Sequence, residues 1–253
     1  NGRFFAASSQ RGVAAPLPFM TVAHTFAVPP AADTLGVART RRVLWVACVL
    51  WTLLGYPIAL WLPVTAGWEN GVLENLQLAQ LLAGAGLAWW FARTDHAALG
   101  YAAVAVWLVL AARELSWGAT LWAAPLGMGW SGPIYSSSVL WYKPFVYPAI
   151  GAVLVVAGVA LVRSGAPSML YKLARSTPFV WVELMLAAAA AIAASYFEGQ
   201  LPRDAADPGL GTVALVLEEW LECAAYGALL AAQWHLFSLL RLHARPQDCG
   251  HGA

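Results

Sequence analysis

Residues 212–240 read TVALVLEEWLECAAYGALLAAQWHLFSLL, an almost wholly apolar stretch that nevertheless carries Glu218, Glu219 and Glu222. Its length points to the fold class, because about 20 consecutive apolar residues in a helix cross about 30 Å of hydrocarbon. Its glutamates say where to look for function. A charge at the bilayer centre costs about 3 kcal/mol on insertion scales, so acids kept there mark a pathway or a site.

Five more segments of similar character precede it, at 43–64, 70–92, 97–122, 144–162 and 178–198. The whole chain is 60% hydrophobic and 11% charged, against about 25% charged in ordinary soluble domains. Fourteen tryptophans suit a protein with two membrane interfaces to occupy. These features predict an all-α, polytopic integral membrane bundle of six transmembrane helices, with the lipid bilayer as its principal partner. The formal net charge is only +1, so no global field attracts nucleic acid, and none is expected as a partner. Cys48, Cys223 and Cys249 show no paired spacing, and two of them fall inside apolar segments, which reads as packing rather than a disulfide framework.

Orientation follows from the placement of lysine and arginine. With the N-terminus inside, the inner ends carry Arg39, Arg41, Arg42, Arg93, Arg163, Lys172, Arg175, Arg241 and Arg245, and the outer ends only Lys143 and Arg203. Both termini are therefore expected in the cytoplasm, in a multi-pass protein of the inner membrane. Residues 1–38 read as a flexible tail, since Pro29-Pro30 disfavours a packed helix. The first residue is Asn, which makes Met20 a candidate native start and 1–19 an upstream extension. The six-span domain then occupies 39–245, followed by a tail over 246–253.

Glu74 and Glu114 join the three glutamates of the last segment as acids inside apolar runs, and Arg113 stands beside Glu114. At about 1.5 Å per residue, all five acids fall in the outer half of their spans. Asn70, Glu74, Gln77, Gln80 and Gly84 follow one another at helical steps, a polar stripe on the second span. Glu218 and Glu222 share a face at i,i+4, with Tyr226 one turn below and Gln233 farther along. Lipid satisfies no donor or acceptor, so these stripes must face other helices or water. One outward-facing site is expected, built from Glu74, Gln77, Arg113, Glu114, Glu218, Glu219, Glu222 and Tyr226. Arg113 cannot neutralise all the carboxylates. Shared protons, a bound cation or a cationic substrate must complete the balance.

Three functions follow from that balance. The first is binding or translocation of a proton, a cation or a small cationic solute. The second is a metal-assisted hydrolase or transferase at the outer leaflet. There Glu114, Glu218 and Glu222 would hold a hard divalent cation such as Mg²⁺, Ca²⁺ or Mn²⁺, the one cofactor that oxygen ligands suggest. The third is a structural subunit whose bundle is stapled by Arg113 and its partner acid. Sharper motifs fall away. Glu218-Glu219 resembles the paired glutamates of the membrane-embedded CAAX-protease-like family, but Cys223 stands where that pattern has an arginine. Gly129-Trp130-Ser131-Gly132 resembles the GxSG of rhomboid proteases, yet His235 lies at the opposite depth. His235 reads as an interfacial side chain and Glu183 as one that snorkels at the inner end of its span. The loop Ala123–Lys143 reads as an exposed connector anchored by Trp141-Tyr142-Lys143, long enough to cover a site from outside.

Overall fold

A computed structural model describes residues 31–94, 96–129, 132–176, 179–200 and 208–244. The long helices are α1 (Ala31–Ala59), α2 (Val72–Thr94), α3 (Ala97–Glu114), α5 (Lys143–Arg163), α7 (Trp181–Gln200) and α8 (Pro208–Ala244). Shorter pieces are α4 (Ala119–Trp122), α6 (Ala166–Ser176) and a hairpin of β1 (Gly127–Gly129) and β2 (Gly132–Ile134). The fold is all-α, and each of the six apolar segments corresponds to a long helix. Four are long and apolar enough to cross a membrane, covering Leu35–Ala59, Ala97–Glu114, Lys143–Arg163 and Trp181–Glu198.

Helix α8 is the axis of the bundle, packing against α7, α1 and α2, while α3 lies on α2 and α5 lies on α3. Small residues make the close approaches. A Cβ on Gly84 of α2 would stand 2.5 Å from the Trp107 ring of α3, so only glycine lets that indole seat. Two large apolar clusters, with a small one of Ala190, Ala224 and Ala225 between α7 and α8, build the core. One gathers Leu81, Phe91, Trp107, Leu173 and Leu240, with Phe91 and Phe237 stacked at 3.7 Å between ring centroids. The other gathers Leu73, Val216, Leu217, Trp220 and Cys223. There Trp51 of α1 and Trp220 stack at 4.1 Å, and each indole N–H donates to the other residue's carbonyl, at 3.3 and 2.7 Å. Buried indoles need an acceptor, and this reciprocal pair supplies both.

The sequence expectations need four corrections here. The third helix stops at Glu114 rather than running to 122. Ser116 and Trp117 take left-handed backbone (φ 46° and 60°), followed by Gly118 at 95°, which breaks the helix without a proline. Residues 31–38, assigned to a tail, belong to α1; the rest of that tail, with Met20 and the candidate extension 1–19, lies outside the described residues, as does 246–253. The inner connection after α5 contains α6, whose Ala166 and Leu173 are buried while Lys172 and Arg175 are exposed. Finally, Glu183 and His235 are both buried, 3% exposed each, instead of lying at an interface.

Basic residues gather at one end of the bundle. Arg241 lies over Trp90, 3.8 Å from its centroid, and donates to Thr94 Oγ1 at 2.7 Å. Arg93 covers Trp89 at the same end. At that end too, Arg41 of α1 donates to both carboxylate oxygens of Glu183 at 2.7 and 3.0 Å and to the Phe179 carbonyl at 3.0 Å. His235 Nδ1 stands 3.6 Å from the same carboxylate, so α1, α7 and α8 meet in one buried ionic knot.

Candidate functional site

The other end is acidic, and the antiparallel packing of α2 and α3 explains why. Glu74 lies in the first turn of α2 and Glu114 is the last residue of α3. A helical hairpin brings its first and last turns together. Helix α8 begins at this end and brings Glu218, Glu219 and Glu222 alongside. The β hairpin and its flanks close over the end, where the Tyr135 N–H donates to Glu69 Oε2 at 2.8 Å. Gly132 (φ 103°) packs so near Trp68 that a Cβ would stand 2.5 Å from its ring. Tyr142 Oη donates to the Trp117 carbonyl at 2.7 Å, and the Lys143 ammonium lies over the rings of Trp117 and Tyr147. The connector is thus tied down at both flanks. The GxSG stretch is only partly described, with Trp130 and Ser131 outside the described residues.

Successive residues of α8 point about 100° apart, and this rotation sorts the acids. Glu219 turns toward α2, where the fully buried Gln77 amide donates to its Oε2 at 2.7 Å and to its carbonyl at 3.0 Å. Farther down the same seam, the Gln233 amide donates to the Gly84 carbonyl at 2.9 Å and its oxygen accepts from the Trp107 indole. Gln80 lies against Gly227 between these contacts. The lower part of the polar stripe read on the second span, Gln77, Gln80 and Gly84, therefore meets α8 in a seam of contacts between two helices, whereas Asn70 is exposed and Glu74 lies in the first turn of α2.

Glu222 turns the other way, toward a cavity of about 380 Å³ between α3 and α7 with α8 as its floor. Arg113, Glu198, Glu222, Tyr226 and Ser195 line its polar end, and Leu184, Ala187, Ala188, Ala191 and Leu229 its apolar length. Arg113 Nη2 stands 3.9 Å from Glu222 Oε1, and the arginine side chain is 59% exposed, so that acid alone does not enclose it. The Tyr226 hydroxyl donates to Glu114 Oε1 at 2.6 Å and fixes the wall between α3 and α8. Glu218 shares the face of Glu222 and lies within electrostatic range of Glu222 and Glu198. Its Oε2 is buried with no hydrogen-bond partner among the described residues. Glu74 accepts from the Asn70 N–H and so caps its own helix, while remaining within electrostatic range of Glu114.

The eight residues expected at one site thus share one end but divide between two interfaces. Gln77 and Glu219 belong to the α2–α8 seam, while Arg113, Glu222 and Tyr226 face the cavity. Glu114 backs the cavity through Tyr226. The sequence reading missed Glu198 as a lining residue. The signal for it is the face Leu184, Ala187, Ala188, Ala191, Ser195 and Glu198, spaced by one to four residues along α7. Among the described residues, no group of three or more histidine, cysteine, aspartate or glutamate side chains is arranged to hold a metal ion. The chain matches no family model, no curated protein and no solved structure.

Proposed function

We propose that this is a six-span membrane protein, with both termini on the cytoplasmic side of an inner membrane, that binds a small cationic group in the cavity between α3 and α7. The observation that carries the reading is the lining of the cavity's polar end, where Glu198 and Glu222 face a single guanidinium, Arg113. The cavity volume lies within the range of small-ligand sites, about 300–1,000 Å³. Two carboxylates against one arginine leave a place for a positive charge, and a charge away from bulk water binds its counter-ion strongly.

An organic ammonium fits better than a metal ion. It needs only one or two carboxylates and brings its own carbon to the apolar wall, whereas Ca²⁺ takes six to eight oxygen ligands and Mg²⁺ keeps several waters that an alanine and leucine lining cannot hydrogen-bond. The apolar lower length of the cavity also favours binding over translocation, since no line of polar side chains continues along it. Helices α2 and α8 complete the proposed six spans. Their polar residues turn into the seam and the cavity, which makes them tolerable in lipid.

The test is thermal unfolding of the purified protein in detergent with added ethylammonium, against equal ionic strength of sodium chloride. Stabilisation by mass action reaches about 2.7 kcal/mol at a hundredfold excess over Kd. Wild type should gain stability with ethylammonium, and Glu222→Gln and Glu198→Gln should lose most of that gain while remaining folded. An unchanged unfolding midpoint in wild type would overturn the reading.

A further inference from the structure

The cavity has the shape and polarity of an amphiphile. Its lining spans fourteen residue steps of α7, from Glu198 at the acidic end to Leu184, which is about 21 Å at 1.5 Å per step. Every charged lining group is at one end of that length. Below them the walls are alanine and leucine, and Ala188, Ala191 and Leu184 are exposed side chains along an open furrow. Small residues at such positions let a neighbouring chain approach the helix backbone closely. One leaflet of hydrocarbon is about 15 Å deep, half of about 30 Å. The furrow therefore accommodates one leaflet-length chain with its headgroup at the charged end.

The charges also select among headgroups. Arg113 is mostly exposed and stands 3.9 Å from Glu222, so a positive and a negative protein group present themselves side by side. A zwitterion with phosphate and ammonium on adjacent carbons complements that pair. The phosphate meets the forked donors of Arg113, and the ammonium meets Glu222 and Glu198. An anionic lipid without an ammonium leaves both carboxylates uncompensated beside its phosphate.

We infer that the furrow between α3 and α7 is a lipid site that takes an aminophospholipid, its phosphoethanolamine headgroup on Arg113, Glu222 and Glu198 and one acyl chain along Ala191, Ala188 and Leu184. This rests on the cation-binding reading above and adds the chain, the phosphate and a lateral route of entry from the bilayer.

The experiment measures unfolding midpoints of the full chain in detergent, titrated with phosphatidylethanolamine, phosphatidylglycerol of the same chains, or soluble phosphoethanolamine. Wild type should respond to phosphatidylethanolamine and phosphoethanolamine and not to phosphatidylglycerol. The furrow-filling double variant Ala188→Phe/Ala191→Phe places bulk on exposed positions and should weaken the phosphatidylethanolamine response about tenfold or more, and by a much larger factor than the phosphoethanolamine response. Ala188→Leu, a smaller plug, should do the same in part and serves if the double variant fails to fold. Glu222→Gln should lose both responses. An undiminished lipid response in the furrow-filled variants overturns the chain placement, with the headgroup site intact. An equal response to phosphatidylglycerol overturns the aminophospholipid assignment. Lipid and headgroup responses that ignore Glu222→Gln overturn the underlying cation site as well.

Discussion

Helices α5 and α8 invert the usual association between apolarity and burial. α5 has a mean hydropathy of 2.4 and not one buried residue among the described ones. α8 carries three glutamates and lies outside the four helices that qualify as spans by composition, yet it is the axis on which α1, α2 and α7 pack. In water the greasiest helix would be the core. In lipid there is no such drive, because the solvent is as apolar as leucine. The helix with the most polar contacts to make becomes the centre, and the one with fewest is left on the outside, facing lipid on the proposed membrane reading. On the proposed membrane reading, hydropathy along this chain reports contact with lipid, and polarity reports contact with protein.

Three substitutions separate the two helices by their effect on unfolding in detergent. Arg41→Gln should cost most, about 3–5 kcal/mol, because it strips the partner from the buried Glu183 in the knot where α1 and α7 meet α8. If it costs under about 1 kcal/mol, the scale of an exposed pair, then Glu183 is hydrated and the knot does not hold α8 in place. Ala228→Leu follows. That alanine is fully buried on α8, and overpacking costs about 1–3 kcal/mol. Val156→Ala on α5, at a position 69% exposed, should stay within about 0.5 kcal/mol. A cost for Val156→Ala equal to that of Ala228→Leu would break the comparison by showing that α5 is packed against another protein chain.

The long helices were legible because helix formation in apolar segments depends only on length and the absence of breakers. The end of α3 was not, since Leu115-Ser116-Trp117 contains no proline or glycine, and the left-handed turn there is held by tertiary contacts such as Tyr142 to the Trp117 carbonyl. The short α6 was hidden by being amphipathic rather than apolar. Depth placed the acids at one end, as helical rise dictates. It could not say which of them share a wall, because the rotation of α8 relative to α2 and α3 is set by packing at Gly84, Trp107 and Trp220. That rotation sends Glu219 to Gln77 and Glu222 to the cavity. The Arg41–Glu183 pair was within reach of the same depth argument, as an acid and a base at one level on two spans.

The early stop at Glu114 has a consequence for the membrane itself. Eighteen residues of α3 measure about 27 Å, short of a hydrocarbon slab of about 30 Å, whereas the twenty-one residues of its neighbour α5 measure about 32 Å. On the proposed membrane reading, a bilayer meeting these two helices side by side thins where it meets α3, unless flanking side chains snorkel to cover the mismatch. Such thinning would lie beside the furrow and would lower the local headgroup plane toward Arg113. This protein would then act on the thickness of its own surroundings, favouring headgroup access at one point of its circumference and sorting toward thinner membranes.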